Sequence, residues 1–305
     1  MELDELLTEA RNHRSQGLDR RSTRELVELM NEEDATVPAA VAAAADGIAS
    51  AIDAIVERLA AGGRLIYVGA GTSGRLAALD AAECGPTFST APGQVVALVA
   101  GGASASNTVL QGSRIDLEQE AAEDDAKAGA LDVRGVGVSQ RDAVVAVSAS
   151  GRTPYTLGAA EAAASAGAMT VAVVCVEGSP LGRVADREIA VVVGPELLAG
   201  STRLKAGTAQ KLVLNMLSTI SMVRLGKAFD NLMVDVAASN EKLRGRARRV
   251  VEEATGATGA EAEAALARAG GETKVAILSL LAAIDAGTAR ARLGASGGDL
   301  RKALS

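Results

Sequence analysis

Residues 64–83 read RLIYVGAGTSGRLAALDAAE, and the order of residue types in this stretch decides the architecture. Leu65 to Val68 is a short apolar run, Gly69-Ala70-Gly71-Thr72-Ser73-Gly74 is a glycine-rich turn, and helical spacing follows from Leu76. The pattern predicts a strand, a tight turn and a helix start. Glycine admits main-chain conformations closed to other residues and lets a ligand approach closely, while the first N–H groups of a helix attract an anion. Gly71, Thr72 and Ser73 are therefore candidate contacts for a phosphate. The plainer reading is an ordinary strand-to-helix connection, because G-x-G-x-x-G alone is a weak signal.

Further strands are expected at 94–99, 143–148, 170–176 and 189–193, that at 143–148, the third of the chain, being continuous and apolar as in a strand buried on both faces. Between them, the helix that begins near Gly74 is interrupted at Pro86, a polar helix is expected over 103–127, and another over 154–166. Strands alternating with helices imply βαβ units, hence an α/β, doubly wound, five-stranded parallel sheet. Upstream, Ser22-Thr23-Arg24-Glu25 has the form of a capped helix start, and one alanine-rich helix is expected from Pro38 to Leu59.

Composition narrows the chemistry. The chain has 305 residues with 48% hydrophobic and 23% charged residues, an ordinary globular balance, and its net charge of -7 argues against a nucleic-acid surface. No run reaches the roughly 18 apolar residues of a membrane span, and MELDELLTEARN is too charged for a signal peptide, so a cytoplasmic location is expected. Cys84 and Cys175 form no CxxC pair and read as buried, inert thiols. With His13 as the single histidine, neither a histidine-based nucleophile system nor a histidine metal site is expected. Two tyrosines, two phenylalanines and no tryptophan leave little scope for stacking on a base or sugar. Proton transfer then falls to Glu, Asp or Lys.

Two more stretches bring hydroxyls to helix starts. Ser148-Ala149-Ser150-Gly151-Arg152-Thr153-Pro154 follows the third strand, with Pro154 suited to a first helical turn. Ser148, Ala149, Ser150, Gly151 and Thr153 would offer neutral donors and a positive helix end, which suits a phosphate monoester. The bland alternative is that the hydroxyls are caps. In an open α/β sheet, ligands sit beyond the carboxyl ends of the strands where strand order reverses, so this turn and the Gly69–Gly74 turn should face each other. Ser201 to Lys211 leads into an apolar helix over 212–225, and Ser201, Arg203 and Lys205 are either part of a polar pocket or surface groups.

At this level of detail GAGTSGRLAALDAAEC, SASGRTPY, GSTRLKAGTAQKLVLNMLST and NLMVDV together resemble the N-acetylmuramic acid 6-phosphate etherase family of the sugar isomerase (SIS) group, over nearly the whole chain. The resemblance implies a flavodoxin-like SIS domain with N-terminal helices over 1–245, and a small helical C-terminal domain of ubiquitin-associated type over 246–305. It further implies a homodimer, a sugar-phosphate substrate, and neither metal nor organic cofactor. The family's acid/base glutamate in DASECPPT falls on Glu83. Its second catalytic glutamate, in VEGAED, falls on Glu123, with Glu120 as the alternative because this chain has extra residues around Ser113 to Glu118. Gly85 stands where the family usually has proline, and Cys175-Val176-Glu177-Gly178-Ser179 replaces the usual CNPGS.

The implied reaction suits these residues. In the open-chain sugar the C1 aldehyde acidifies the C2 proton, so lactate can leave C3 by elimination before water adds to the alkene. One carboxylate must take the C2 proton and one carboxylic acid must protonate the departing oxygen. The expected roles are Glu123 as base and Glu83 as acid. An aldose-ketose isomerase would return the proton to C1 and release no lactate. A non-catalytic sugar-phosphate sensor, similar to glucokinase regulatory protein, would need no carboxylate pair.

Overall fold

The computed structural model describes residues 8–102, 121–235 and 241–305. Five strands, β1 (Leu65–Gly69), β2 (Val95–Val99), β3 (Ala143–Val147), β4 (Met169–Val174) and β5 (Arg187–Ala190), form a wholly parallel sheet in the order β2-β1-β3-β4-β5. Every residue of β1, β3 and β4 is buried, which is why these strands read as unbroken apolar runs and not as alternating ones. This is the flavodoxin-like arrangement, and its strand order reverses between β1 and β3. Those two strands pair with Gly69 opposite Val147, so both chains leave the sheet at the same level.

Ahead of the sheet lie α1 (Thr23–Asp34), α2 (Val37–Ala43) and α3 (Ala45–Ala60). Ser22 and Glu25 make the expected reciprocal capping box on α1. The single helix expected over Pro38–Leu59 is two helices, broken at Ala44, where φ and ψ are -89° and 8°. No residue in that alanine run signals the break. After β1, α4 (Gly71–Phe88) begins earlier than Gly74 and continues through Pro86. Proline lies so near the end that it removes one hydrogen bond of the last turns without ending the helix.

Most of the polar helix expected over 103–127 lies outside the described residues. Residues 121–123 are helical, and a separate helix, α5 (Ala126–Gly135), starts after a break at 124–125, because the Asp125 carboxylate accepts the N–H groups of Lys127 and Ala128. It packs on α6 (Pro154–Ser165) backbone to backbone. A Cβ on Gly129 would lie 2.0 Å from the Tyr155 carbonyl oxygen, and one on Gly158 would lie 2.0 Å from that of Ala126. Glycine at both positions is what permits this approach. Tyr155, Ala159 and Ala163 of α6 and Val133 of α5 then cover Ile66, Val68 and Val144 of the sheet.

Beyond β4 come the short α7 (Pro180–Val184), β5, and α8 (Lys205–Arg224). The fifth strand sits a few residues before its expected place, with Val171 opposite Arg187. No single described helix is long and apolar enough to cross a membrane.

The chain divides into two compact units, Met1–Ala82 with Gly93–Ser218, and Glu83–Pro92 with Thr219–Ser305. The second holds a two-stranded ribbon (Ala228–Phe229 with Leu232–Met233) and helices α9 (Glu241–Thr255), α10 (Gly259–Arg268), α11 (Thr273–Ala282), α12 (Ala286–Ala295) and α13 (Leu300–Leu304). Its core gathers Val250, Val251, Ile277, Leu278, Leu293 and Leu300. Within it Lys274 and Lys227 both reach Asp235, at 2.7 and 3.1 Å.

Candidate active site

The site is built at the switch point of the sheet. From β1 the chain turns through Ala70 and Gly71 directly into α4, and from β3 it turns through Ser148–Thr153 into α6. The first N–H groups of each helix lack an acceptor within it, and two such helix starts therefore face the crevice beyond paired strand ends. The β3 turn is braced from behind by the exit of β4. Cys175 N–H donates to the Ala149 carbonyl at 2.9 Å, and Leu181 N–H donates to that of Gly151 at 3.0 Å. The Cys175–Ser179 segment makes the first of these bonds, and Ser179 also caps α7 through Gly182 N–H at 2.9 Å.

Glu123 lies between the two turns. Its Oε1 accepts from Thr153 Oγ1 at 3.3 Å, and its Oε2 lies toward Gly71, where an added Cβ would stand 3.6 Å from it. Gly71 itself has φ of +52°. Thr153 Oγ1 is 3.0 Å from Ser148 Oγ, which accepts from Gly151 N–H at 3.1 Å. Glu123, Gly71, Ser148, Gly151 and Thr153 are thus brought together although they come from three separate parts of the chain. Ser148 and Ala149 are buried, whereas Thr72, Ser73, Ser150 and Thr153 are partly open.

The remaining hydroxyls differ in what they have left to give. Ser73 Oγ donates to Gln210 Oε1 of α8 at 2.9 Å. Ser150 Oγ accepts from Arg152 N–H at 3.3 Å, and Thr72 Oγ1 accepts from the Arg75 guanidinium at 3.5 Å. Each of the last two keeps its own proton as a donor.

The third stretch is arranged otherwise. Lys205 is buried, and its ammonium donates to Glu33 Oε2 at 2.7 Å instead of facing the turns. Glu33 also accepts from Asn12 and Arg14. Burial would raise the Glu33 carboxyl, but the hydrogen bond and charge of Lys205, with help from Asn12 and Arg14, outweigh it and hold the group below the usual carboxylate range. The anion position at the start of α8 is filled from within. Glu196 accepts the N–H groups of Lys205 and Ala206 at 3.0 and 2.9 Å, which is why α8 starts well before 212. Ser201 belongs to the turn leading into that helix, and Arg203 is exposed.

Glu83 is exposed on α4 and belongs to the second unit. Glu120 lies outside the described residues. Three residues before Glu83, Asp80 is buried and accepts from Tyr67 OH at 2.9 Å, Asn215 Nδ2 at 2.7 Å and Ser218 Oγ at 3.1 Å. Burial raises its carboxyl, and those three donors and the nearby Lys211 charge only partly oppose the rise. Neither Asp80 nor Gln210 was expected to matter from sequence. Their signal, a polar residue on the inward stripe of an apolar helix, is visible only once that stripe is known. Both cysteines are buried. The Cys175 thiol is pushed up to about 12 by burial, with a smaller contribution from the Glu196 charge. Among the described residues, no group of His, Cys, Asp and Glu could hold a metal ion.

The comparisons bear on the fold and the family. Residues 47–164 match the family described as the glucokinase regulatory protein N-terminal SIS domain, and 135–220 match the SIS domain family. A phosphoheptose isomerase from Francisella tularensis superimposes with a TM-score of 0.52 at 20% identity, covering 67% of this chain and 100% of its own, which shows the shared fold. An N-acetylmuramic acid 6-phosphate etherase of Rubrobacter xylanophilus is 60% identical over 99% of this chain and 97% of its own length. That of Streptomyces avermitilis is 56% identical over 100% of this chain and 95% of its own length. Identity at that level, sustained from end to end, means that this chain belongs to the N-acetylmuramic acid 6-phosphate etherase family.

Proposed function

We propose that this protein cleaves the lactyl ether of N-acetylmuramic acid 6-phosphate, giving N-acetylglucosamine 6-phosphate and D-lactate, in the recycling of cell-wall amino sugars. The observation that carries the reading is the seating of Glu123 between the two helix starts beyond β1 and β3, with one oxygen tied to Thr153 and the other toward Gly71. The helix starts and the Thr72 and Ser150 hydroxyls hold the phosphate, and Gly71, Ser73, Ala149 and Gly151 shape its seat. Lys205, already engaged by Glu33, has no direct part in that seat.

In the open-chain sugar, Glu123 takes the C2 proton, the electron pair forms the C2–C3 alkene, and the C3–O bond breaks. Glu83 protonates the departing lactate oxygen. Water then adds at C3, giving its proton to Glu83 while Glu123 returns one to C2, so both carboxyl groups recover their starting states. The protein acts as a homodimer in the cytoplasm, with the sugar phosphate as its small-molecule partner. The helices α9 to α13 form an accessory domain, and every residue given a role above lies outside them.

The test uses substrate in heavy water, following lactate and C2 deuterium. Glu83→Gln should lose lactate release by about a hundred- to ten-thousand-fold while C2 exchange persists, and Glu123→Gln should lose both. Either variant keeping most of its lactate release removes that residue from the mechanism. Exchange with formation of a ketose and no lactate would make the protein an isomerase.

A further inference from the structure

The hydroxyls around Glu123 form a chain whose direction is set by chemistry. An ionised carboxylate only accepts, so the single proton of Thr153 Oγ1 goes to Glu123 Oε1. Thr153 must then accept from its other neighbour, so Ser148 Oγ donates to it across 3.0 Å. Ser148 in turn accepts Gly151 N–H at 3.1 Å, an interaction compatible only with its proton pointing away from that amide. The run is Gly151 N–H to Ser148 to Thr153 to Glu123, and each link leaves the next hydroxyl one way to turn. Neither hydroxyl proton remains for a phosphate oxygen. Thr153 is also the residue preceding α6, yet its side chain makes no cap bond to that helix.

We propose that Thr153 is a positioning residue for Glu123, fed by Ser148, and not a substrate ligand. It pins Oε1 so that Oε2, on the Gly71 side, is the oxygen that takes the C2 proton. The inference rests on the etherase reading and adds to it which residue aims the base. At 3.3 Å the Thr153–Glu123 contact is long for a hydroxyl donor, as catalytic hydrogen bonds often are before substrate closes on them.

The experiment compares Thr153→Val, which keeps the shape and removes the donor, with Thr153→Ser, which keeps the donor and removes a methyl group. Steady-state lactate release and thermal unfolding are measured for both. Thr153→Val should fold like the parent and lose about 10- to 100-fold in kcat, the range typical of outer partners that orient a reacting ligand, with KM within about twofold. Thr153→Ser should restore most of the rate. In a Glu123→Gln background Thr153→Val should cost nothing further, since it acts only through that carboxylate. A rise in KM with kcat unchanged would make Thr153 a phosphate ligand and overturn the proposal. Full activity in Thr153→Val, failure of Thr153→Ser to recover, or an equal loss in the Glu123→Gln background would overturn it too. If Thr153→Val fails to fold, Ser148→Ala must show the same split in kcat against KM, and an unchanged kcat there counts against the relay. Parent protein that releases no lactate removes the etherase reading and this inference together, whereas failure confined to the Thr153 and Ser148 variants leaves that reading standing.

Discussion

Lys205 Nζ donates to Glu33 Oε2 at 2.7 Å, joining α8 to α1 across 172 residues of sequence. Both side chains are almost fully enclosed, so neither charge has water to fall back on. The pair also ties the N-terminal segment to the sheet domain, because Asn12 and Arg14 share the same carboxylate.

Glu33→Gln leaves the Lys205 ammonium buried without its counter-charge, and about 3–5 kcal/mol of stability should be lost. Glu33→Gln with Lys205→Met should recover most of it in urea denaturation. The native Glu33 carboxyl is held below its unfolded value, so its contribution is present above the unfolded pKa and disappears as pH falls through the folded one. The single variant should therefore flatten the acid limb of the stability curve.

Asp80 has the opposite sign. Burial raises its carboxyl in the folded state, so the native protein binds more protons than the unfolded chain between the two values, and stability falls as pH rises through that window. Asp80→Asn should remove that fall and still accept from Asn215 and Ser218 while donating toward Tyr67 OH. The expected outcome is a variant no less stable than the parent at pH 7 whose advantage shrinks toward pH 4. An advantage that grows toward low pH would contradict the assignment.

Gly151 has φ of +62°, and a Cβ there would stand 2.4 Å from Ser179 Cβ. Gly151→Ala should cost about 1 kcal/mol for the left-handed backbone and about 1–3 kcal/mol for overpacking. Adding Ser179→Gly removes the overlap with that side chain, leaving the Val174 Cγ1 contact at 3.0 Å, and should recover most of the second part, less a few tenths of a kcal/mol for the lost cap of α7, while the backbone part stays, which equilibrium unfolding can separate.

Much of the site was legible because it is local. A strand that runs into a glycine turn and then a helix announces itself in consecutive residues, and so do the hydroxyls of Ser148–Thr153 and the capping box of Ser22 and Glu25. The break at Ala44 and the passage of α4 through Pro86 were not legible, since neither depends on the residue types at that point alone. Lys205 read as either a pocket group or a surface cation for the same reason: a lysine before a helix start gives no sign of a glutamate waiting on another helix.

The sequence by itself determined the five strands, their parallel connection and the positions of the hydroxyl turns, because apolar period, turn chemistry and helix starts act between near neighbours. Only the tertiary structure decided which hydroxyl donates to which acceptor, that Thr153 turns to Glu123, and that Glu196 already occupies the start of α8. A hydroxyl has one proton and a carboxylate has none, so their roles follow from neighbours that come together only when distant parts of the chain pack.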